Sequence, residues 1–395
     1  MIMRKALITV MVMGIAIISC KKDDDVQVVV DPPVNVPVPV ITITTPSGGF
    51  KIDNLKWLKV NPEVKNDSIG ASYLWTIGSD TIATTKNLMH VFATAGTYTL
   101  SLSVKNIAGT AKQEIVVTVA DKKYTNGVVK VFDYFPAPGQ FVNTLPEWIA
   151  GDKEEAINLK AETQLKTDGM ISLGGFGGYV VMGFDHTIIN KPGQNSFVVQ
   201  GNAFNDWSEA GVIQVAPDAN GNGLPDDEWY EIAGSEYNSP ETVHNYKITY
   251  YKPDENKVPM PDDMYMSDTN YIRWKDNQGQ SGYLSKNVFN AGPYYPQWKG
   301  DSISFTGTKL NSNNIRDLSG EGSSYVSPPF SYGYADNVIN DKAVIRISWA
   351  VDKAGNYVNL PGIDFIKVST GLRAEAGWLG EISTEITGVK DLNLK

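Results

Sequence analysis

Residues 210–234 carry two short apolar runs separated by a polar loop, and this pattern constrains the fold more than any other feature. The apolar runs cover residues 212–215 and 229–232, and the loop between them is rich in Asp, Asn and Gly. Short apolar runs joined by Asn-Gly turns are typical of two β-strands in a hairpin. The chain also contains 36 glycines and 21 prolines, which favour turns over long helices. We therefore predict an all-β protein, and the length of 395 residues predicts two or three domains.

The loop in this hairpin has oxygen-bearing side chains at alternate positions, which is a pattern of calcium ligands. The predicted ligands are the side chains of Asp218, Asn220, Asn222 and Asp226 with the main-chain carbonyl of Leu224, and Asp227, Glu228 or Glu231 would complete the shell. The loop resembles those of thrombospondin type 3 repeats. It does not fit the EF-hand pattern, because the twelfth position counted from Asp218 is Trp229 rather than Glu. A hairpin turn without a metal is the alternative.

The first 19 residues have the pattern of a secretory signal peptide. Arg4 and Lys5 precede an apolar run over residues 6–18, which is too short to cross a membrane. Residues 17–20 read Ile-Ile-Ser-Cys and resemble a bacterial lipobox, which implies that Cys20, the one cysteine of the chain, carries a diacylglycerol. A single cysteine also excludes a disulfide within the chain.

The residues after Cys20 predict where the protein is located. The run Lys-Lys-Asp-Asp-Asp at 21–25 resembles the export signal of surface lipoproteins in the Bacteroidetes. That resemblance implies an outer-membrane protein, held only by its lipid and facing the cell exterior. Residues 20–40 repeat Val with Pro and Asp, which predicts an extended tether because proline removes backbone donors and fixes φ.

Residues 41–121 are predicted to form one small β-sandwich. Tyr98, Leu100, Leu102 and Val104 alternate with polar residues, which indicates a strand with one buried face. The pattern Y-x-W-x-I-G at 73–78, the pattern H-x-F-x-x-x-G-x-Y-x-L-x-L-x-V-x-N at 90–106 and a final V-x-V strand resemble a PKD domain. The resemblance implies an immunoglobulin-like spacer or interaction module, with Trp75 in its core.

Residues 128–395 are predicted to form a second, larger β domain, with one helix over residues 152–165. We expect Ala156, Leu159 and Leu165 to form the buried stripe of that helix. The segments 177–186, 192–204, 208–218, 229–234 and 360–368 together resemble a galactose-binding-like, discoidin-type jelly roll of bacterial cell-surface proteins. That resemblance implies a binding module, and it does not identify a ligand.

Aromatic residues gather in a long insertion between residues 251 and 343. Ten of the 19 tyrosines lie between Tyr230 and Tyr295. Aromatic rings stack on the C–H face of a sugar or on a flat macrocycle, while polar neighbours supply hydrogen bonds. The predicted ligand contacts are Tyr265, Trp274, Tyr294, Tyr295 and Trp298. An aromatic core beneath long loops is the alternative.

The sequence excludes several kinds of catalysis. The three histidines, at positions 90, 186 and 244, form no zinc pattern, and no G-x-S-x-G nucleophile motif is present. A pair of carboxylates for glycoside hydrolysis stays open, because folding rather than spacing brings such a pair together. The candidate acids are Asp185, Asp336, Asp364 and Glu381.

These observations predict a non-catalytic surface lipoprotein that captures a nutrient ligand, either a glycan or a cobamide. It would be an accessory of an outer-membrane uptake system, with a TonB-dependent transporter as its partner. The net charge of −10 argues against nucleic acid as a ligand. An adhesin or structural surface protein is one alternative, and a glycoside hydrolase is another.

Calcium binding in the loop predicts a change in thermal stability. A ligand that binds only the folded state stabilises it, so Ca²⁺ should raise the melting temperature and EGTA should lower it. Identical melting curves in the two solutions would show that the loop is a metal-free turn.

Overall fold

The structure is a computed structural model that describes residues 36–67, 70–262 and 264–394. The predicted signal peptide, Cys20 and most of the predicted tether lie outside the described residues. Within the described ranges, no helix is both long enough and apolar enough to cross a membrane.

The first unit is a β-sandwich with its own core. Its strands are β1 (Val40–Thr42), β2 (Phe50–Asp53), β3 (Trp57–Val60), β4 (Glu63–Lys65), β5 (Ser72–Ile77), β6 (Asp80–Ala83), β7 (Leu88–Val91), β8 (Gly96–Asn106) and β9 (Gly109–Ala120). One sheet has the order β2-β9-β8-β5-β6, and β1 pairs with β4 and β3 with β7. Leu100, Leu102 and Val104 are fully buried on one face of β8, as their alternation predicts. Trp75 is also fully buried, and its indole N–H donates to the carbonyl of Lys86.

The second unit is also almost entirely β structure, which confirms the predicted fold class. Its strands are β10 (Lys130–Phe135), β11 (Ile171–Ser172), β12 (Tyr179–Ile189), β13 (Phe197–Gln200), β14 (Gly211–Ala216), β15 (Tyr230–Ile232), β16 (Val243–Tyr251), β17 (Met266–Asp276), β18 (Ser281–Asn287), β19 (Ser302–Lys309), β20 (Arg316–Asp317), β21 (Tyr325–Val326), β22 (Val344–Ile345), β23 (Ala350–Val351), β24 (Gly362–Thr370), β25 (Glu385–Ile386) and β26 (Gly388–Asp391). Short 3₁₀ turns occur at Asn340–Lys342, Ile347–Trp349 and Gly377–Leu379.

Three sheets build most of this second unit. A six-stranded sheet has the order β10-β12-β24-β14-β15-β23, and a three-stranded sheet has the order β22-β13-β26. The main core combines side chains of both sheets with one face of the helix α1 (Glu154–Lys166). A four-stranded sheet, β18-β17-β16-β19, contains a separate aromatic core.

The helix lies where the sequence predicts it, but its buried face differs. Ile157, Ala161 and Leu165 are buried, whereas Leu159 is 62% exposed. The buried residues are spaced by four, which places them on one side of a 3.6-residue helix. Leu159 is two positions from both Ile157 and Ala161 and therefore points away from the core.

The long aromatic insertion contains an ordered sheet. Strands β16 to β19 run antiparallel to their neighbours and cover about half of residues 243–309. Five tyrosines pack into one cluster, with Tyr246, Tyr250 and Tyr271 on the strands and Tyr294 and Tyr295 in the connection between β18 and β19. The alternative of an aromatic core is therefore the correct description of most of them.

Asp364 joins the two units. Its carboxylate accepts hydrogen bonds from the Trp57 indole N–H at 2.6 Å, the Thr187 hydroxyl at 2.7 Å and the Asp218 backbone N–H at 2.7 Å. Trp57 belongs to β3 of the first unit, whereas the other donors belong to the second. A buried carboxylate with three donors is well compensated for the loss of water, so these contacts fix the junction.

Removing the Asp364 carboxylate should destabilise the protein. Asp364→Ala leaves three donors, each at least partly buried, without their acceptor, and we expect a loss of about 3 kcal/mol or more in the free energy of unfolding. Chemical unfolding of the full chain measures this loss. The matched control is Asp121→Ala, because Asp121 is exposed and its nearest cation lies 3.9 Å away. Equal stability of the two variants would contradict the role assigned to Asp364.

Candidate functional site

A cleft of about 690 Å³ opens in the second unit. We call it the aromatic cleft and define it by its lining residues. They are Gln140, Phe141, Leu145, Met170, Asn202, Phe204, Trp207, Glu209, Asn287, Phe289, Ser323, Ser324, Tyr325, Trp378, Leu379, Glu381, Ile382, Ser383 and Glu385. These residues come from six separate parts of the chain, so only the folded protein forms the cleft.

Aromatic rings make up much of the wall of the cleft. Phe141 is 42% exposed, Phe204 is 62% exposed and Phe289 is 60% exposed. Trp207 stacks on Phe204 with ring centroids 6.4 Å apart, and Trp378 meets Phe289 edge-on at 5.5 Å. Large apolar rings left open in one concave place mark a ligand site, whereas single exposed rings elsewhere are ordinary.

The position of Trp378 depends on its neighbours along the chain. It lies in the 3₁₀ turn Gly377–Leu379, and its indole N–H donates to the carbonyl of Ser323 at 3.2 Å. Gly377 has φ +54°, and a Cβ there would lie 2.4 Å from the ring of Tyr325. Only glycine fits this contact, so the turn brings Trp378 and Tyr325 to the same wall.

The floor of the cleft contains a cluster of buried acids. Glu209, Glu381 and Glu385 line the cleft, and Asp336 lies beside them. All four are less than one tenth exposed. Carboxylate oxygens of Glu209, Asp336 and Glu385 lie within 4.8 Å of one another.

Backbone and hydroxyl donors hold these acids in place. Asp336 accepts from the backbone N–H groups of Asn202, Ala203 and Glu385 at 2.8–2.9 Å. Glu385 accepts from the hydroxyl of Ser172 at 2.9 Å and from the hydroxyl of Ser383. Such donors compensate a buried carboxyl group without supplying a positive charge.

The acids of the floor therefore hold protons to unusually high pH. Burial, with the nearby charges of Glu385 and Asp336, raises the pKa of Glu209 well above its ordinary value. Burial also raises the pKa of Asp336, and it raises the pKa of Glu381 to about 8. No lysine or arginine occurs among the described residues that line the cleft. The floor is thus rich in acceptors and acidic protons and contains no fixed cation.

Of the five rings predicted to contact a ligand, Tyr265 lies closest to the cleft. Its ring packs against Phe289 and Trp378, with centroids 6.2 Å from each. The prediction for Tyr294 and Tyr295 is wrong, because both rings are fully buried in the core of the four-stranded sheet. Both tyrosines lie in the connection between β18 and β19, which packs against the four-stranded sheet, and the local sequence does not reveal this packing.

Trp274 and Trp298 do not line the aromatic cleft either. Trp274 lies on β17 beneath the guanidinium of Arg373, which is 4.4 Å from its ring. Trp298 stacks on Tyr134 at 6.3 Å and packs against the main core. Tyr294 keeps an indirect role, because its hydroxyl donates to Asn287, a lining residue, at 3.0 Å.

The acids proposed for catalysis separate into two groups. Glu381 lines the cleft and Asp336 lies in its floor, whereas Asp364 belongs to the junction. Asp185 pairs with His186 at 3.0 Å and does not line the cleft. Of the four candidate acids, Asp336 and Glu381 therefore belong to the cleft, whereas Asp185 and Asp364 do not.

Several residues of the cleft were not predicted from the sequence. The missed rings and acids are Phe141, Phe204, Trp207, Glu209, Phe289, Tyr325, Trp378 and Glu385. A usable signal existed at 204–209, where Phe and Trp stand in an otherwise polar segment that ends in Glu. A second stood at 378–385, where Trp precedes two glutamates.

The loop predicted to bind calcium brings its polar side chains together. The amides of Asn220 and Asn222 donate to the two oxygens of Asp226 at 2.8 and 2.9 Å. Asp218 accepts from the backbone N–H groups of Gly221 and Gly223. Carboxylate and amide oxygens in one tight loop are the ligands that Ca²⁺ prefers, so these residues fit the ion. Calcium binding here stays a prediction.

Three further observations, on Leu224, Glu231 and Lys59, bear on the prediction of calcium binding. Leu224, whose carbonyl is the fifth predicted ligand, lies in an exposed turn. The backbone N–H of Leu224 donates to the side-chain oxygen of Asn222. Glu231 does not reach the loop, because its carboxylate accepts from the Thr308 hydroxyl at 2.7 Å. The loop also contacts the first unit, since Lys59 donates to the carbonyl of Asp218.

Comparison with known proteins identifies the first unit. Residues 38–106 match the family model of a PKD-like domain. The N-terminal region therefore contains a PKD-like domain, as its sequence motifs predict. No curated protein matches the chain.

Solved structures give weaker similarities. A SusE-like protein has a TM-score of 0.27 at 9% identity, over 89% of this chain and 95% of that one. A structure of carbohydrate-binding modules from the β-sandwich superfamily has a TM-score of 0.18 at 12% identity, over 90% and 99%. The outer capsid protein Hoc of bacteriophage RB49 has a TM-score of 0.17 at 12% identity, and the match covers about half of each chain. Scores this low assign neither a fold nor a function to the second unit.

The raised pKa of Glu381 predicts how stability changes with pH. A carboxyl group whose pKa is higher in the folded state stabilises the protein below its unfolded pKa, and this contribution is lost as the pH rises through the folded pKa. For Glu381 the window runs from the ordinary value of 4.5 to about 8. In Glu381→Gln, the free energy of unfolding should fall less steeply over this window than in the wild type, by up to about 1.4 kcal/mol per pH unit.

Urea unfolding at a series of pH values measures this slope. The control variant is Glu63→Gln, which changes an exposed acid on β4. The control should keep the wild-type slope. A wild-type slope in Glu381→Gln would contradict the assignment of a proton to Glu381 in the folded protein.

Proposed function

We propose that this protein captures a glycan in the aromatic cleft and does not transform it. One observation supports this most directly. Open rings of Phe141, Phe204, Phe289 and Trp378 stand around a floor of hydrogen-bonding acids in a single concave site. Sugars present an apolar C–H face and a rim of hydroxyl groups, and this cleft offers a surface for each.

The size and openness of the site agree with a small oligosaccharide. The cleft of about 690 Å³ lies in the range of ordinary ligand sites. Its rings come from separate segments, 204–207, 289 and 378, so several sugar units have a ring to contact. A cobamide is the other cargo that such rings suit, since they stack on a flat macrocycle.

We further propose that capture occurs at the cell surface, next to an outer-membrane importer. The motifs around Cys20 support a lipid anchor, and the extended residues that follow support a tether. The PKD-like domain then acts as a spacer that holds the second unit away from the membrane. A TonB-dependent transporter is the partner that such an arrangement serves.

Glycoside hydrolysis is a second candidate, and the acidic floor is the observation that favours it. A glycosidase needs one protonated acid beside one ionised carboxylate, and burial raises the pKa of Glu381 to about 8. Analysis of the bound sugar distinguishes the two functions. Unchanged oligosaccharide after long incubation supports capture, whereas shorter products support hydrolysis.

Binding measurements with ring variants test the proposed site. Calorimetry of the full chain against oligosaccharides and a cobamide should find a saturable ligand. Trp207→Ala and Trp378→Ala should each weaken its binding about tenfold or more, because each removes a ring face at the centre of the site. Thermal melting shows whether the variants remain folded.

The matched control is Tyr357→Ala, which removes a ring that is 67% exposed and lies outside the cleft. Its affinity should equal that of the wild type. Binding that survives both tryptophan substitutions would place the ligand elsewhere. The absence of binding to every sugar and cobamide would refute capture of these ligands.

A further inference from the structure

The acids of the aromatic cleft restrict the charge of its ligand. Glu209, Glu381 and Glu385 line the cleft, and a carboxyl oxygen of Asp336 lies within 4.8 Å of those of Glu209 and Glu385. Among the described lining residues there is no basic side chain. A uronic acid, sialic acid or sulfated sugar would therefore bring a negative charge to a floor of acids that offers it no cationic partner.

Other polar groups of the cleft are already engaged with the protein. The Gln140 side chain donates to the Leu379 carbonyl at 2.7 Å and accepts from the Asn287 amide at 2.6 Å. Asn287 in turn accepts from the Tyr294 hydroxyl. These amides hold the wall together, and Glu209, Glu381 and Glu385 are the ionisable residues that line the cleft.

The aromatic wall favours a positively charged ligand. A cation near the face of Trp, Tyr or Phe is attracted by the ring quadrupole, and this attraction grows when water is excluded. Trp207 and Phe204 stack on each other, and Trp378, Phe289 and Tyr265 form a second group of rings. A cationic nitrogen between these rings and the acidic floor would be attracted by both.

We propose that the glycan captured by the aromatic cleft carries a free amino sugar, and this inference rests on the proposed function. The protonated amine donates charge-assisted hydrogen bonds to Glu209 and Glu385, while the sugar ring stacks on the tryptophan faces. An N-acetylated sugar lacks the charge. A neutral sugar keeps only the stacking and the weaker hydroxyl contacts.

Three oligosaccharides with the same β-1,4 backbone test this inference by calorimetry at neutral pH. They are a tetramer of glucosamine, a tetramer of N-acetylglucosamine and cellotetraose. The glucosamine tetramer should bind about tenfold or more tightly than the other two, because a hydrogen bond to a charged group contributes about 1.5–3 kcal/mol. The gain should shrink with added salt.

Variants separate a direct role of the acids from a structural one. Glu209→Gln keeps the shape of the side chain but cannot release a proton to become a carboxylate beside the amine, so it should reduce the preference for the amine over cellotetraose about tenfold. The control is Glu231→Gln, which changes another acid whose pKa burial raises, to about 7, but which lies outside the cleft. The control should keep the wild-type preference. A purely structural effect of Glu209 would weaken all three sugars equally and would overturn the proposal.

The remaining outcomes have separate meanings. If cellotetraose binds as tightly as the glucosamine tetramer, the amino-sugar inference fails and glycan capture stands. If no tetramer binds, the amino-sugar inference and glycan capture fail together. The three clustered carboxyl groups also have the chemistry to hold a divalent cation. Binding of Ca²⁺ alone that Glu209→Gln abolishes, without amine binding, would assign the floor to a metal and overturn the inference.

Discussion

The pairing of β24 (Gly362–Thr370) with two long neighbours is the interaction on which the second unit depends. β24 pairs with β12 on one side and with β14 on the other, so it is the centre of the six-stranded sheet. Near its beginning, Asp364 binds Trp57 of the PKD-like domain. At its end, the Thr370 hydroxyl donates to the Gly174 carbonyl and accepts from the N–H of Thr384, next to Glu385. One strand therefore connects the domain junction with the floor of the cleft.

Backbone N–H groups and serine hydroxyls, rather than cations, stabilise the acidic floor. Asp336 takes three backbone N–H groups, and Glu385 takes two serine hydroxyls. A buried acid without such partners would cost several kcal/mol. Protons that stay on the acids reduce the number of buried charges, as the raised pKa values of Glu209 and Asp336 indicate. Hydrogen bonds and bound protons, rather than ion pairs, therefore stabilise the floor.

Local patterns in the sequence predicted the elements that local patterns control. The alternation in β8 and the motif around Trp75 predicted the PKD-like domain, and a matching family model confirms it over residues 38–106. The helix was predicted from an apolar stripe of Ala156, Leu159 and Leu165, and the structure has a helix at Glu154–Lys166. Its buried face was wrong in part, since Leu159 is exposed while Ile157 packs inward.

The site was harder to predict, because it depends on contacts between distant segments. Tyr294 and Tyr295 are in the most aromatic stretch of the chain, and packing against the four-stranded sheet buries both. Trp207 and Trp378 stand in short polar segments, yet the fold places them in one cleft. Asp336 and Glu381 were named from the sequence as candidate acids, but nothing in their spacing reveals that Glu209 and Glu385 join them. The residue types of these acids indicated their chemistry, but their positions in the sequence did not indicate which of them meet in the fold.

The placement of Asp364 and Thr370 sets the distance between the domain junction and the cleft. They lie six positions apart on an extended strand, which is roughly 20 Å. Trp57 of the PKD-like domain binds near one end of this span, and the acids of the cleft lie near the other. No residue of the PKD-like domain is among the described residues that line the cleft, so this domain does not obstruct its entrance.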